Sequence, residues 1–178
     1  MVVKKLISTV LNHGKDYKDK QPGALQMKHW FLTYHGKEES VFTGKEIFTL
    51  FDHLDIERQN MIAGRTLFNK GEIPVLFLMC GEDVFIINTT ERFIRISAQS
   101  SESVYYTDFK GHAGYKTLAA DKYPGHIKKD GYFQEFGIRL NSDEVIYWTI
   151  PTGKPGFAFW NVTKKCELIG KRYVISPV

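Results

Sequence analysis

The sequence predicts an α+β protein: a bent antiparallel sheet closed by a C-terminal helix, with an N-terminal helical extension. Three observations carry this. From Ile73 to Ile150, short apolar runs alternate with polar turn-forming clusters. After them, Phe159, Val162, Cys166 and Ile169 recur at helical spacing. Before them, Val3, Leu6, Ile7, Val10 and Leu11 form one helical stripe. The chain has 178 residues, 43% apolar and 25% charged. That is the composition of an ordinary globular domain and excludes a disordered or collagen-like chain. The expected division is a basic helical extension at 1–60 and a sheet domain at 61–178.

The elements follow in order. The first stripe is a helix that Gly14 stops. Lys15 to Gly23 is polar and holds a Pro-Gly pair, so it reads as a linker. Trp30, Leu32 and Tyr34 alternate with Phe31, Thr33 and His35, which suggests a strand closed by Gly36. Thr43 and Glu46 have capping-box spacing, and Ile47, Leu50, Phe51 and Leu54 follow, so a helix is expected from Gly44 to Leu54. Polar Asp55 to Asn60 begins a new segment. Ile73–Cys80 is a nearly continuous apolar run, a candidate buried strand, and Gly81-Glu82-Asp83 turns the chain. Val84–Asn88, Phe93–Ser97 and Val104–Thr107 are further strands. Phe133–Leu140 and Val145–Ile150 form a hairpin around a four-residue polar loop. Pro151, Gly153, Pro155 and Gly156 break the sheet, and a helix over 157–169 ends at Gly170.

Several function classes are thinned by what the sequence lacks. No apolar run approaches the roughly 20 residues that span a bilayer. Residues 2–11 carry Lys4 and Lys5 and no small-residue cleavage site, so they read as a first helix and not as a secretory signal. Cys80 and Cys166 are too few for a disulfide framework, and both lie on apolar stretches. They are expected to be structural, in a reduced, cytoplasmic setting. The six histidines contain no pair at helical metal-binding spacing. His29 and His35 would share a strand face about 20 Å apart, too far to chelate one ion. No metal and no cofactor is expected. Nucleotide-binding and nucleophile-elbow motifs are absent. Carboxylates such as Asp108, Asp121, Asp130 and Glu135 are available for acid–base work, but spacing alone brings none of them together.

Charge is uneven. Net charge is +4, yet residues 1–37 hold seven lysines against two aspartates, and the first arginine is Arg58. Such an arm could touch nucleic acid or an anionic surface, although a solvated face is the plainer reading. Nucleic-acid binding through it is expected to be weak and lost at physiological salt.

Gly71-Glu72 precedes the run at Ile73. Val84–Asn88 leads into Thr89-Thr90-Glu91-Arg92 and then Phe93-Ile94. Val104-Tyr105-Tyr106-Thr107-Asp108-Phe109 follows. This phrase resembles the bacterial pleckstrin-homology-like (PH-like) domains, over residues 71–170. In that family a Gly-Glu precedes an early strand, a Thr-x-x-Arg turn joins two strands, and a C-terminal helix caps a bent sheet. The chain departs from the pattern at Glu91, where the family usually has Lys, and in the long irregular segment from Lys110 to Asp130. The resemblance implies binding of peptides, proteins or lipid surfaces, not catalysis. Phosphoinositides are disfavoured, because the loop that would bind them is the acidic Gly81-Glu82-Asp83.

The richest stretch for recognition runs from Tyr105 to Lys116. It reads as loop-prone and packs aromatic rings beside lysines, so the expected binding residues are Tyr105, Tyr106, Lys110, His112, Tyr115 and Lys116. The plainer alternative is that the tyrosines straddle the sheet, rings inside and hydroxyls in water. The leading reading is a non-enzymatic binding or regulatory module with a protein or peptide ligand. The alternative is an enzyme with a loop site at Asp108, His112 and Tyr115. A third is a nucleic-acid accessory protein using the lysine arm.

Overall fold

The computed structural model describes residues 20–36, 46–116 and 127–173. The helix expected over the Val3–Leu11 stripe, most of the lysine arm, Thr43 and Asp121 lie outside them. Helix α1 is Gln21–His35 and strand β1 is Phe48–Leu50, followed by a 3-10 turn at Phe51–His53 and helix α2 at Ile56–Arg65. Strands β2 (Pro74–Met79), β3 (Phe85–Thr89), β4 (Arg92–Ile96) and β5 (Ser101–Tyr105) join β1 in one antiparallel sheet of order β1-β2-β3-β4-β5. Strands β6 (Phe109–Tyr115), β7 (Phe133–Leu140) and β8 (Val145–Pro151) form a second antiparallel sheet of order β6-β7-β8. Helices α3 (Gly153–Thr163) and α4 (Cys166–Tyr173) end the described chain. The fold is α+β, as the sequence predicts. No described helix is long and apolar enough to cross a membrane.

The large sheet is covered on both faces. On one, Leu76, Phe93 and Val104 lie across β2, β4 and β5 and pack with Phe136, Ile138 and Trp148 of the small sheet and Phe159, Val162, Cys166 and Ile169 of the C-terminal helices. On the other, Phe77, Ile87 and Ile94 stand in register across β2, β3 and β4 and pack with Ile62 of α2 and with Phe51. A strand buried on both sides has no reason to alternate, which is why the run at Ile73–Cys80 is continuously apolar. Residues before 61 contribute directly to the first core: Ala24, Met27 and Phe31 of α1 and Phe48 and Leu50 of β1 are all buried in it.

Several expectations need correction. The strand at Trp30–Tyr34 is part of α1. Pro22 stands in its first turn, where the missing N–H costs nothing, and Ala24, Met27 and Phe31 are its buried face. The five-residue alternation is a fragment of that longer helical period. Of the helix expected at Gly44–Leu54, the described residues form instead β1 and the 3-10 turn. Phe48, Thr49 and Leu50 are all buried and pair with β2, so the tertiary ladder overrides the capping signal. Asp55 is the cap that operates, its carboxylate accepting the Arg58 N–H at 2.8 Å.

The irregular Lys110–Asp130 segment begins with an ordered strand, β6. The C-terminal helix is two helices, starting at Gly153 and broken at Lys164–Lys165. Its predicted stripe is buried. Of the strands expected beneath it, however, Phe85, Ile87, Ile94 and Ile96 face α2 instead. Gly170 does not stop the helix but sits inside α4. There a Cβ would lie 2.5 Å from the Tyr106 carbonyl oxygen, so the glycine allows helix and turn to touch.

Candidate functional site

The stretch from Tyr105 to Lys116 is a β5-turn-β6 corner, not a loop. Its loop-like composition comes from glycines: the pairing of β6 with β7 shifts register between Phe109 and Gly111 and again between His112 and Gly114. Gly114 has φ 85°, and a Cβ there would meet the Trp160 ring at 2.9 Å. The corner is therefore welded to α3.

The two tyrosines at its start have different fates. Tyr106 is fully buried. Its hydroxyl donates to the Thr89 carbonyl at 2.7 Å and accepts from Asn88 Nδ2 at 3.2 Å. Tyr105 is half-buried, with the Arg92 guanidinium 5.3 Å from its ring centroid.

His112 points into a box of Phe93, Phe109, Phe136 and Phe159. The Thr163 hydroxyl donates to the Phe159 carbonyl at 2.7 Å, so its oxygen accepts from His112 Nε2 at 2.9 Å. That assigns the proton to Nε2 and leaves Nδ1 a bare lone pair, buried without a donor. Burial lowers the His112 pKa to about 3. Tyr115 spends its hydroxyl on the Pro151 carbonyl at 2.8 Å, and burial raises its pKa. Asp108 is exposed on the turn, where its backbone N–H donates to Tyr105 O and its carbonyl accepts from the Asn141 N–H. The structure thus sends Asp108, His112 and Tyr115 to three different surroundings.

The lysines lie on the outside. Lys110 pairs with Asp143 at 2.6 Å, and that bond and charge hold the Asp143 carboxyl below its ordinary range. Lys116 pairs with Glu135 at 3.2 Å and lies 4.7 Å from the Tyr147 ring centroid. These two mark the outer face of the small sheet, which also carries Phe133 (49% exposed) and Tyr147 (41%). Tyr147 spreads over Gly137, where a Cβ would crowd its ring at 3.1 Å.

Sequence reasoning also missed a buried polar knot. Arg92 grips Glu72 with two bonds, at 2.8 and 2.9 Å. Thr89 donates to the same carboxylate at 2.6 Å and accepts the N–H groups of Glu91 and Arg92. Burial works against the Arg92 charge, and the bonds to Glu72 more than restore it. Glu91 receives Asn69 Nδ2 at 2.7 Å and is ion-paired with Lys20, at the start of α1. The Gly-Glu and Thr-x-x-Arg signals are therefore one structural knot, and Glu91 is the clasp that ties α1 to it.

Both cysteines are free and buried; burial raises both thiol pKa values, that of Cys166 to about 12. The acidic β2–β3 turn holds Arg65 against Asp83 at 3.3 Å. Asp130 accepts the Lys154 N–H at the start of α3, at 2.7 Å. His29 and His35 stand on α1, six residues apart. Among the described residues no three His, Cys, Asp or Glu side chains cluster to hold a metal ion. Comparison with protein-family models, curated proteins and solved structures finds no match for this chain.

Proposed function

We propose that the chain is a PH-like, non-enzymatic binding or regulatory module of the cytoplasm, with a protein or peptide as its ligand. The observation that carries this reading is a division of labour. At the corner the ring groups able to do chemistry are spent within the fold, His112 on Thr163, Tyr106 on Thr89 and Tyr115 on Pro151, and both thiols lie in the core. What reaches solvent on the small sheet is Phe133 and Tyr147 beside paired charges, the residue types that dominate protein interfaces. Two successive antiparallel meanders and a C-terminal helical cap support the PH-like part. An acidic β2–β3 turn tied to Arg65 continues to disfavour phosphoinositides.

The test is selection of a displayed peptide library on the native protein, followed by calorimetric titration of the selected peptide. A Phe133→Ser, Lys116→Glu double variant should bind about tenfold or more weakly with an unchanged melting temperature. Selected peptides that bind the variant equally well, or a screened hydrolytic activity abolished by Asp108→Asn, would overturn the reading.

A further inference from the structure

The described sheets end in four edge strands, and three of them are blunted. β1 is three residues long, β5 is exposed and carries Glu102, and β6 is kinked by two register shifts. β8 differs. Its seven residues, Val-Ile-Tyr-Trp-Thr-Ile-Pro, carry no charge and stay in unbroken register with β7.

The ladder fixes which backbone groups are used. Thr152 N–H donates to Tyr132 O and Leu140 N–H to Glu144 O, so the even-numbered residues of β8 are those that bond to β7. The N–H and C=O of Val145, Tyr147 and Thr149 therefore point away from it, and no hydrogen bond among the described residues takes them up. Tyr147 and Thr149 are exposed.

We infer that β8 is an interface between two copies of this chain, paired antiparallel across a two-fold axis at Tyr147. The strand is self-complementary. With Tyr147 opposite its counterpart, Val145 faces Thr149 of the second copy and Thr149 faces its Val145. Each of the three then exchanges both backbone groups. An uncharged strand meets itself without like-charge repulsion, and β-branched and aromatic side chains suit cross-strand pairing. The sequence such an edge favours is the sequence it carries. Pro151, which has no N–H to offer, ends the pairing at one side. This inference uses the edge of the small sheet and does not depend on the proposed ligand face.

Thr149→Pro tests it, because that residue's N–H is not used within the protomer, whereas proline at Ile150 would cut the ladder to β7. The full chain is run by sedimentation equilibrium from about 1 µM to about 1 mM, the range of Kd expected for a small interface. The wild type should pass from monomer to dimer, and Thr149→Pro should remain monomeric with native circular dichroism. If that variant does not fold, hydrogen exchange on the wild type decides: the Tyr147 and Thr149 amides should become protected as concentration rises. A wild type that stays monomeric to about 1 mM, a folded Thr149→Pro dimer, or edge amides whose exchange ignores concentration would overturn the inference.

Discussion

The two sheets solve burial differently. The large sheet has α2 on one face and the small sheet with the C-terminal helices on the other, so β3 is buried at every position. Among the described residues the small sheet is covered on one face, and its other face shows Phe133, Lys116, Glu135 and Tyr147 to solvent. An aromatic ring is therefore structural on a covered face, as Phe136 and Trp148 are, and available for contact on the uncovered one. Layer position decides this, not residue type.

The strongest way to break the large sheet is through its knot. Glu72→Ala leaves Arg92 buried without its partner and should cost about 3–5 kcal/mol, measured by denaturant unfolding. A loss under about 1 kcal/mol would mean that Arg92 finds water or another acceptor. Phe77→Ala should remove about 3–5 kcal/mol, because α2 cannot settle into the gap left on that face.

The seam between the sheets should answer to pH. Burial depresses the His112 pKa from 6.5 to about 3, so the unfolded chain binds this proton first. The histidine's contribution is thus intact above about pH 6.5 and is lost as pH falls toward 3, by about 2 kcal/mol at pH 5. The carboxylates also titrate there, so the measurement is the difference from His112→Leu, which should unfold with a shallower dependence on acid. Equal slopes would place His112 in water. The smallest effect belongs to the exposed face: Phe133→Ala should change stability by no more than about 0.5 kcal/mol. Set beside Phe77→Ala, it measures directly what covering a sheet face contributes.

Several features were legible along the chain because local physics sufficed. The hairpin at 133–151 shows its alternation and polar loop, and the 159–169 stripe shows its period, since each exposes one face and buries the other. The composition and turn signals also placed β2 to β5 of the large sheet to within a few residues.

The candidate site was legible only as a list of residue types. Nothing between Tyr105 and Lys116 says that Tyr106 and His112 turn inward while Lys110 and Lys116 turn outward. The two bulges of β6 break the period of two that would have revealed it. The knot was visible as two short motifs, Gly71-Glu72 and Thr89-x-x-Arg92, but their joining requires β2, β3 and β4 to pair, which brings Glu72 to Thr89 and Arg92, 17 and 20 residues away.

The sequence by itself determined the α+β class, the antiparallel hairpins and the buried C-terminal stripe, because period and turn chemistry act between neighbours. Only the tertiary structure decided that residues 30–34 are helix, that 48–50 are strand and that Gly170 lies within a helix. In each case a partner distant in the chain, the core around Phe159, strand β2 or the Tyr106 carbonyl, outweighs the weak local preference.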